Sequence, residues 1–524
     1  MNYNELIDRN RSINPHSVFI DYAGRSLSCD QLCQTIDQLS MNLHAFSFTP
    51  GAVVGLICYD HISFLQYFLA CQKKSIIPII LNPKYSADET NSIIKISEIK
   101  TILTDRLECV CEKLAQFQGG LSFIDPGRPA DAQNASNKLY SDTLHDGTLF
   151  MLITSGTGGK PKIVKKNQPA LAYQASNLYP MIQLDGIENI YYTNVPASHS
   201  YGLEFPVFSA LYNNARLYIR DFAFSADALD EIATISATHV FSVPPFISGL
   251  VNYKNESGRG YDSLKMVVSA GMKLLPGLAS KFFNAFGYNI CSVYGITEIG
   301  CASFKRLTHG ETAPTINNDV GTPIGENEIS IFGEDMQMLP KLDCERNQNL
   351  SEDSSDAIKD FIGRIRLKKK IPDGGYYKLA HKEYETKWRE NNTLFETDDS
   401  GYIAPDGSLH ILARSSSFIN IGGTKINSGD IENALRATGL FKEILVFGQP
   451  DAVLGEKIAA AISVESDFNM DEDEIREICR QKLPPIKVPR EICIFKKPFP
   501  KTSTGKVRFD EVLKLFQNNV SCNL

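Results

Sequence analysis

The chain has no run of 18 apolar residues, no CxxC pair and no long block of one charge sign. Each absence removes a class of protein. A helix that crosses the hydrocarbon core of a bilayer takes about 20 apolar residues, and the most apolar stretch here, Ser75 to Leu81, has only the length of a strand. An integral membrane segment is therefore not expected. The 12 cysteines include the neighbours Cys109 and Cys111, yet no CxxC pairs with a second Cys or His pair build a zinc-ligand set, so reduced thiols in a cytoplasmic protein are expected. Lys and Arg number 53 against 61 Asp and Glu, and apart from Lys368, Lys369 and Lys370 they are spread along the chain. With a formal charge of -8, that dispersion argues against nucleic acid as a partner. Met1 to Pro15 carries Asn, Asp, Glu and Arg where a secretory leader needs an apolar centre, and no internal repeat of fixed period is present.

What remains is a chain of 524 residues with 43% hydrophobic and 22% charged residues, too long for one typical core and ordinary in composition. Short β-rich runs (Ala52 to Cys58, Ile76 to Leu81, Lys100 to Thr104, Leu149 to Thr154, Asn189 to Val195, Thr238 to Val243, Lys265 to Ser269) alternate with helix-period segments such as Ser28 to Phe46 and Ile62 to Gln72. That alternation predicts an α/β fold with largely parallel sheets. The polar stretch Glu334 to Asp360 reads as a surface excursion of the large domain, and the serines after Arg414 read as a domain boundary.

The strongest local signal is Thr154-Ser155-Gly156-Thr157-Gly158-Gly159-Lys160-Pro161-Lys162, directly after an apolar strand. Its glycines let backbone N–H groups converge, its hydroxyls add donors and its lysines add positive charge, a combination suited to a polyphosphate. It is not a Walker loop: Thr154 stands where the first Gly is required and Pro161 where Ser or Thr would hold magnesium.

This segment resembles the signature loop of the adenylate-forming superfamily, which comprises acyl-CoA synthetases, luciferases and peptide-synthetase adenylation domains; Gly158 and Ile163 depart from the pattern. Further blocks of that superfamily follow in order: Pro196 to Gly202, Ser269-Ala270-Gly271, Tyr294-Gly295-Ile296-Thr297-Glu298, Gly321-Thr322-Pro323, Gly375-Tyr376-Tyr377, Thr397-Asp398-Asp399-Ser400-Gly401, Arg414, and Pro500 to Lys506. The resemblance runs from about Ser17 to Leu515 and is nearest to acyl and aryl acid-CoA ligases. It implies a large N-terminal α/β domain of mixed sheets flanked by helices with a small β-barrel-like part, Met1 to Ala413, a hinge at Arg414 to Ser417, and a small mobile C-terminal α/β domain, Phe418 to Leu524.

The resemblance also implies roles. Lys506 bridges the carboxylate and the α-phosphate, where two anions must approach each other. Thr297 donates to the α-phosphate and Glu298 offers a hard oxygen to Mg²⁺. The loop from Thr154 to Lys160, with Lys162, cradles the phosphates of ATP. Ala270, Gly271, Val293, Tyr294, Gly295 and Ile296 border the adenine, on which Tyr294 can stack. Asp399 accepts from the ribose hydroxyls, Arg414 is the arginine before the hinge, His199 gates the acyl pocket, and Gly423 lets the pantetheine arm of CoA or of a carrier-bound phosphopantetheine approach the backbone. Asp398 and Asn420 are departures, the second removing a positive charge near the nucleotide.

Relatives that activate amino acids place Asp just after the position of His199, whereas this chain has Ser200. An ammonium would be poorly compensated there, which favours a small carboxylic acid with an uncharged acyl or aromatic body, in a pocket lined by Tyr201, Gly202, Val243, Met272 and Ile296. The chain carries no carrier domain after Asp510, so an acyl carrier protein, if used, would be separate. Two other readings remain open at this level: an amide-forming ligase with an amine acceptor, and a non-catalytic protein that has kept the fold.

Overall fold

In a computed structural model of the chain, the described residues are 3–117, 120–128, 142–155, 161–221, 225–274, 277–306, 318–333, 335–342, 358, 360–378, 388–389, 392–414, 418–421, 424–451, 455–465, 470–501 and 507–522. They divide into two compact units. The first comprises Met1–Ser330, Arg366–Glu396 and Asp406–Leu409, the second Ile331–Ile365, Thr397–Pro405 and His410–Leu524.

Two large sheets organise the first unit. One has six strands in the order Ser122–Ile124, Thr101–Thr104, Val53–Ile57, Ile77–Ile80, Thr148–Ser155 and Pro161–Asn167. All its neighbours run parallel except the last pair, a hairpin. The other has nine strands, of which Val18–Tyr22, Arg216–Ile219, Ile190–Thr193, His239–Ser242, Met266–Ser269 and Cys291–Ile296 form a parallel centre. The expected alternation thus becomes parallel sheets, with each predicted strand within a residue or two of an observed one.

Both faces of the central strands are apolar, as a parallel sheet covered on both sides requires. Tyr191, Phe241 and Val268 point into one core together with Phe150 and Leu152 of the six-stranded sheet and residues of the helices Cys29–Ala45 and His61–Lys73. Their sequence neighbours Tyr192, Val240 and Val267 point the other way, into a core with the helices Pro244–Ser257 and Leu278–Phe286. The starts of the two helices in the first of these cores are set by local caps. Ser28 and Gln31 form a reciprocal capping box at Cys29–Ala45, and Asp60 caps His61–Lys73.

The second unit has its own sheet, with strands Thr424–Asn427, Phe418–Ile421, Gly455–Ser463 and Glu443–Asp451 in that order and Glu491–Phe495 beside Gly455–Ser463. Ile431, Leu435, Ile475 and Cys479 cover one face, and Val512 and Phe516 of the helix Phe509–Cys522 cover the other. Most of the polar stretch 334–360 lies outside the described residues; its flanking residues Leu342 and Ile358 pack with Phe361, Tyr402 and Ala404 of the second unit. The hinge predicted at 414–417 lies outside the described residues apart from Arg414, the last residue of the strand Leu409–Arg414. Among the described residues no helix is long and apolar enough to cross a membrane.

His239, 0% exposed, opens a central strand with both ring nitrogens engaged. Nε2 lies 2.7 Å from the carbonyl of Ile182 and so must carry the proton, and Nδ1 lies 2.8 Å from the Thr238 hydroxyl. Burial pushes this imidazole down to about 4, against a weaker upward pull from the Ile182 carbonyl. The unfolded chain, with an ordinary value near 6.5, therefore binds a proton that the folded chain does not. The stabilisation is complete above about pH 6.5 and is lost as the pH falls towards 4, about 3 kcal/mol in all. Urea unfolding across this window is expected to show a slope shallower by one proton in His239→Gln than in the parent chain.

Candidate functional site

Three central strands of the nine-stranded sheet end at nearly one level, because their register aligns Thr193 with Phe241 and Ser242 with Ser269, and the fourth, whose Ser292 pairs with Ser269, runs on past that level to Ile296. In open α/β sheets the crevice beyond such carboxyl ends is where ligands bind. The chain leaves these ends through the segments singled out in the sequence: Asn194 to His199, Val243, Ala270-Gly271 and Tyr294 to Glu298. The level is tied laterally as well, since the Ser242 hydroxyl donates to Asn194 Oδ1 at 2.6 Å.

The Tyr294 to Glu298 block closes a tight hairpin with the strand Gly300–Lys305. A β-bulge lies between Tyr294 and Gly295, and a Cβ on Gly295 would run into the backbone of Gly300, so the Gly of this block is demanded by close backbone approach. Ile299 N–H donates to the Ile296 carbonyl at 3.0 Å, leaving Thr297 and Glu298 at the turn, both partly exposed. Tyr294 is 7% exposed, and Val293 and Ile296 are partly buried. Ala270 is buried, and Gly271 follows it at φ +79° with Val243 the nearest side chain to its missing Cβ.

The Gly-rich loop belongs to the hairpin of the six-stranded sheet. Thr154 pairs with Lys162 across its mouth; Gly156, Thr157, Gly158, Gly159 and Lys160 lie outside the described residues, as does the Ser155 side chain. The hairpin is joined to the Glu298 turn by Tyr376. Backbone bonds from Lys165 N to Gly375 O and from Tyr377 N to Ile163 O, both 2.8 Å, clamp the Gly375-Tyr376-Tyr377 segment to the outer strand of the hairpin. Lys162 Nζ then sits over the Tyr376 ring, 5.3 Å from its centroid, and the Tyr376 hydroxyl donates to Glu298 Oε1 at 2.8 Å. A cation, a phenol and a carboxylate from three distant segments are thereby brought together.

His199 caps the short helix Ser200–Gly202, its Nδ1 accepting from Tyr201 N–H at 3.3 Å. The helix passes into a π-helical turn, Leu203–Val207, a form that recurs at functional sites. Tyr201 carries its hydroxyl to the strand ends, donating to Val268 O at 2.9 Å with Ser242 O at 3.3 Å. Its ring bulk is therefore fixed there. Beneath this helix the sequence reading missed a buried charged group. Lys166, 1% exposed, contacts Glu204, 4% exposed, at 3.0 Å, and Ser200 Oγ donates to the same carboxylate at 3.0 Å. A carboxylate inside the apolar run Gly202 to Phe208 was the available signal, because it has to find a cation when that run is buried.

Asp399 and Arg414 belong to the second unit. Asp399 is 7% exposed, in the strand Leu394–Ile403, its N–H donating to Thr397 Oγ1 at 3.1 Å. That threonine hydroxyl is itself anchored on the Ile365 carbonyl at 2.8 Å, and Gly401 is needed because a Cβ there would strike the His410 carbonyl. Lys506 and Gly423 lie outside the described residues. Of the predicted residues, the structure gathers Thr154, Lys162, Thr297 and Glu298 in the first unit through the Tyr376 link, and sets Ala270, Gly271, Val293, Tyr294, Gly295, Ile296 and His199 along the same sheet edge.

Residues 7–345 match the family model described as AMP-binding enzyme, and residues 430–506 the model of the AMP-binding enzyme C-terminal domain. Among curated proteins, a probable CoA ligase of Humulus lupulus is 26% identical over 513 residues, covering 94% of this chain and 92% of its own. An oxalate–CoA ligase of Arabidopsis thaliana is 26% identical over 480 residues, covering 88% and 87%. Among solved structures, ATP-bound MatB from Rhodopseudomonas palustris shares the fold with a TM-score of 0.78, at 22% identity over 98% of this chain and 99% of that one.

Gly202 is the tightest point of the His199 segment, since a Cβ there would collide with the carbonyl of Pro196. Gly202→Ala is expected to cost about 1–3 kcal/mol in denaturant unfolding, the range for overpacking. Gly260→Ala, where the nearest atom is 3.7 Å away, should leave the midpoint unchanged.

Proposed function

The chain belongs to the family of AMP-binding enzymes, and from that premise we propose that it is an ATP-dependent acid-thiol ligase. It joins a small carboxylic acid to AMP with release of pyrophosphate, then passes the acyl group to the thiol of CoA or of a carrier-bound phosphopantetheine. The observation that carries this reading is the convergence of Lys162, Tyr376 and Glu298 beside the carboxyl ends of the parallel strands.

In the first step a carboxylate oxygen attacks the α-phosphorus, and the bond from that phosphorus to the bridging oxygen of pyrophosphate breaks. The protein supplies no covalent group, so positioning and charge compensation dominate. Lys162 and Lys506 bring positive charge to the meeting anions, the latter at the reacting carboxylate. Thr297 donates to the α-phosphate, and Asp399 receives the ribose hydroxyls. The Ala270-Gly271 turn and the strand from Val293 to Ile296 border the adenine. In the second step the thiol sulfur attacks the acyl carbon, its proton leaves to solvent and AMP departs. Gly423 borders the pantetheine arm, His199 guards the acyl route, and Arg414 lies at the entry to a hinge that exchanges the two steps.

Magnesium fits the donor at hand. Glu298 presents a carboxylate oriented through one oxygen by Tyr376, and Mg²⁺ is ordinarily held by one or two carboxylates with phosphates and waters completing its shell. When bound, the ion neutralises charge on the phosphates.

The acid carries no ammonium beside the position of Ser200. Ser200 donates to Glu204, whose charge is already met by Lys166, so this carboxylate is not left over for a substrate ammonium. A pyrophosphate-release screen over carboxylic acids, with and without CoA, tests the whole reading; no release with any acid rejects it.

The two steps should separate genetically. Lys506→Ala is expected to lower pyrophosphate release at least about 10²-fold while still accepting a supplied acyl adenylate. Gly423→Leu should release pyrophosphate but fail to make thioester from preformed adenylate. Equal losses in both half-reactions on folded variants would remove the alternation.

A further inference from the structure

Four charged side chains are buried together in the first unit. Lys166 meets Glu204 through both carboxylate oxygens, at 3.0 and 3.2 Å, and lies 4.0 Å from Asp373. Asp373 in turn meets Lys369 at 2.5 Å. Their exposures are 1, 4, 4 and 6% for Lys166, Glu204, Asp373 and Lys369. The group carries two positive and two negative charges, so it is balanced internally. Burial lowers the Lys369 ammonium against the upward pull of Asp373. Burial also acts downward on Lys166, but Glu204 and Asp373 outweigh it and the net direction is up.

Such a group is not an efficient way to stabilise a core. Desolvating an ion costs several kcal/mol, and apolar replacements of the same volume are often as stable or more so. The network does, however, have two arms that leave it. Lys369 Nζ donates to the Ile299 carbonyl at 2.9 Å, the residue after Thr297 and Glu298, and Glu204 accepts from Ser200, the residue after His199. Its members also sit on the remaining site segments. Lys166 is on the same strand as Lys162, and Asp373 lies three residues before Tyr376.

We propose that this network is the positioning frame of the reacting turn, with Lys369 as a positioning residue that holds Thr297 and Glu298 in register through the Ile299 carbonyl. This rests on the ligase reading for its kinetic consequence and on geometry alone for its structural one. An ammonium can give three bonds, and here it links a carboxylate that lies 4.0 Å from Lys166 to a backbone oxygen of the turn. The direction of the turn is thereby referred to the hairpin strand that carries Lys162, which is the relation a polyphosphate spanning the two would need.

The test compares Lys369→Met with the charge-balanced pair Lys369→Met/Asp373→Leu in the full chain. The single variant leaves Asp373 without its nearest cation and should lose both melting temperature and pyrophosphate release. The pair should recover most of the melting temperature, yet show faster amide hydrogen exchange in the 297–301 segment. Its kcat for pyrophosphate release should be about tenfold lower with KM for the acid unchanged, as expected when one oriented hydrogen bond is lost. Lys369→Arg, which keeps charge and donors, should restore the protection. Should the pair not fold, exchange in Lys369→Arg and Lys369→Met at low temperature decides the matter, with protection expected in the first and not in the second. Wild-type exchange and kcat in the pair, or equal exchange in the two single variants, would overturn the proposal. Altered exchange in a chain whose parent releases no pyrophosphate would uphold the frame and reject the ligase reading.

Discussion

The site depends first on the common ending of the central parallel strands. Parallel strands in register point their carboxyl ends to the same side, so the loops that follow emerge side by side although they are tens of residues apart in sequence. The pairing of Thr193 with Phe241 and of Ser242 with Ser269 sets that level. Everything singled out in the first unit either follows one of these strands or is tied to a loop that does.

The sheet is held by burial on both faces, and this is why its central strands are rich in apolar residues and buried almost throughout. A strand such as His239–Ser242 is buried at every residue, with Phe241 and Val240 in opposite cores. A one-residue slip in register would exchange those faces and displace the strand end, so the hydrophobic pattern that stabilises the sheet also fixes the height of the loops. Stability and site geometry are the same constraint seen from two sides.

Charge is treated differently in the two parts of the site. At the edge, Lys162 and Glu298 are partly exposed, and Tyr376 meets both, its ring facing Lys162 and its hydroxyl donating to Glu298. Below, Lys166, Glu204, Asp373 and Lys369 are buried and mutually compensated. The charges at the edge are therefore open to a ligand, while those below are compensated within the protein.

The sequence alone determined the α/β class and the places of the strands along the chain, and it singled out the candidate site blocks. Those features are local: an apolar β-rich run between helical segments, a Gly-rich loop after a strand, and Tyr294 to Glu298 as one contiguous block each carry their signal within about 15 residues. Only the tertiary structure decided which side chains meet. That Tyr376 joins Lys162 to Glu298 follows from the pairing of residues 375–377 with the strand Pro161–Asn167, a contact across more than 200 residues that no local period encodes. Lys166 and Lys369, too, lie in short basic stretches, Lys165-Lys166 and Lys368 to Lys370, that carry no local sign of burial. Alternation along the strand Pro161–Asn167 turns Lys166 inward, and Lys369 lies just past the end of the strand Gly363–Lys368, but whether inward means a penalty or a compensated ion depends on Glu204 and Asp373 meeting them in space, which is a property of the packed core and not of the run in which either lysine lies.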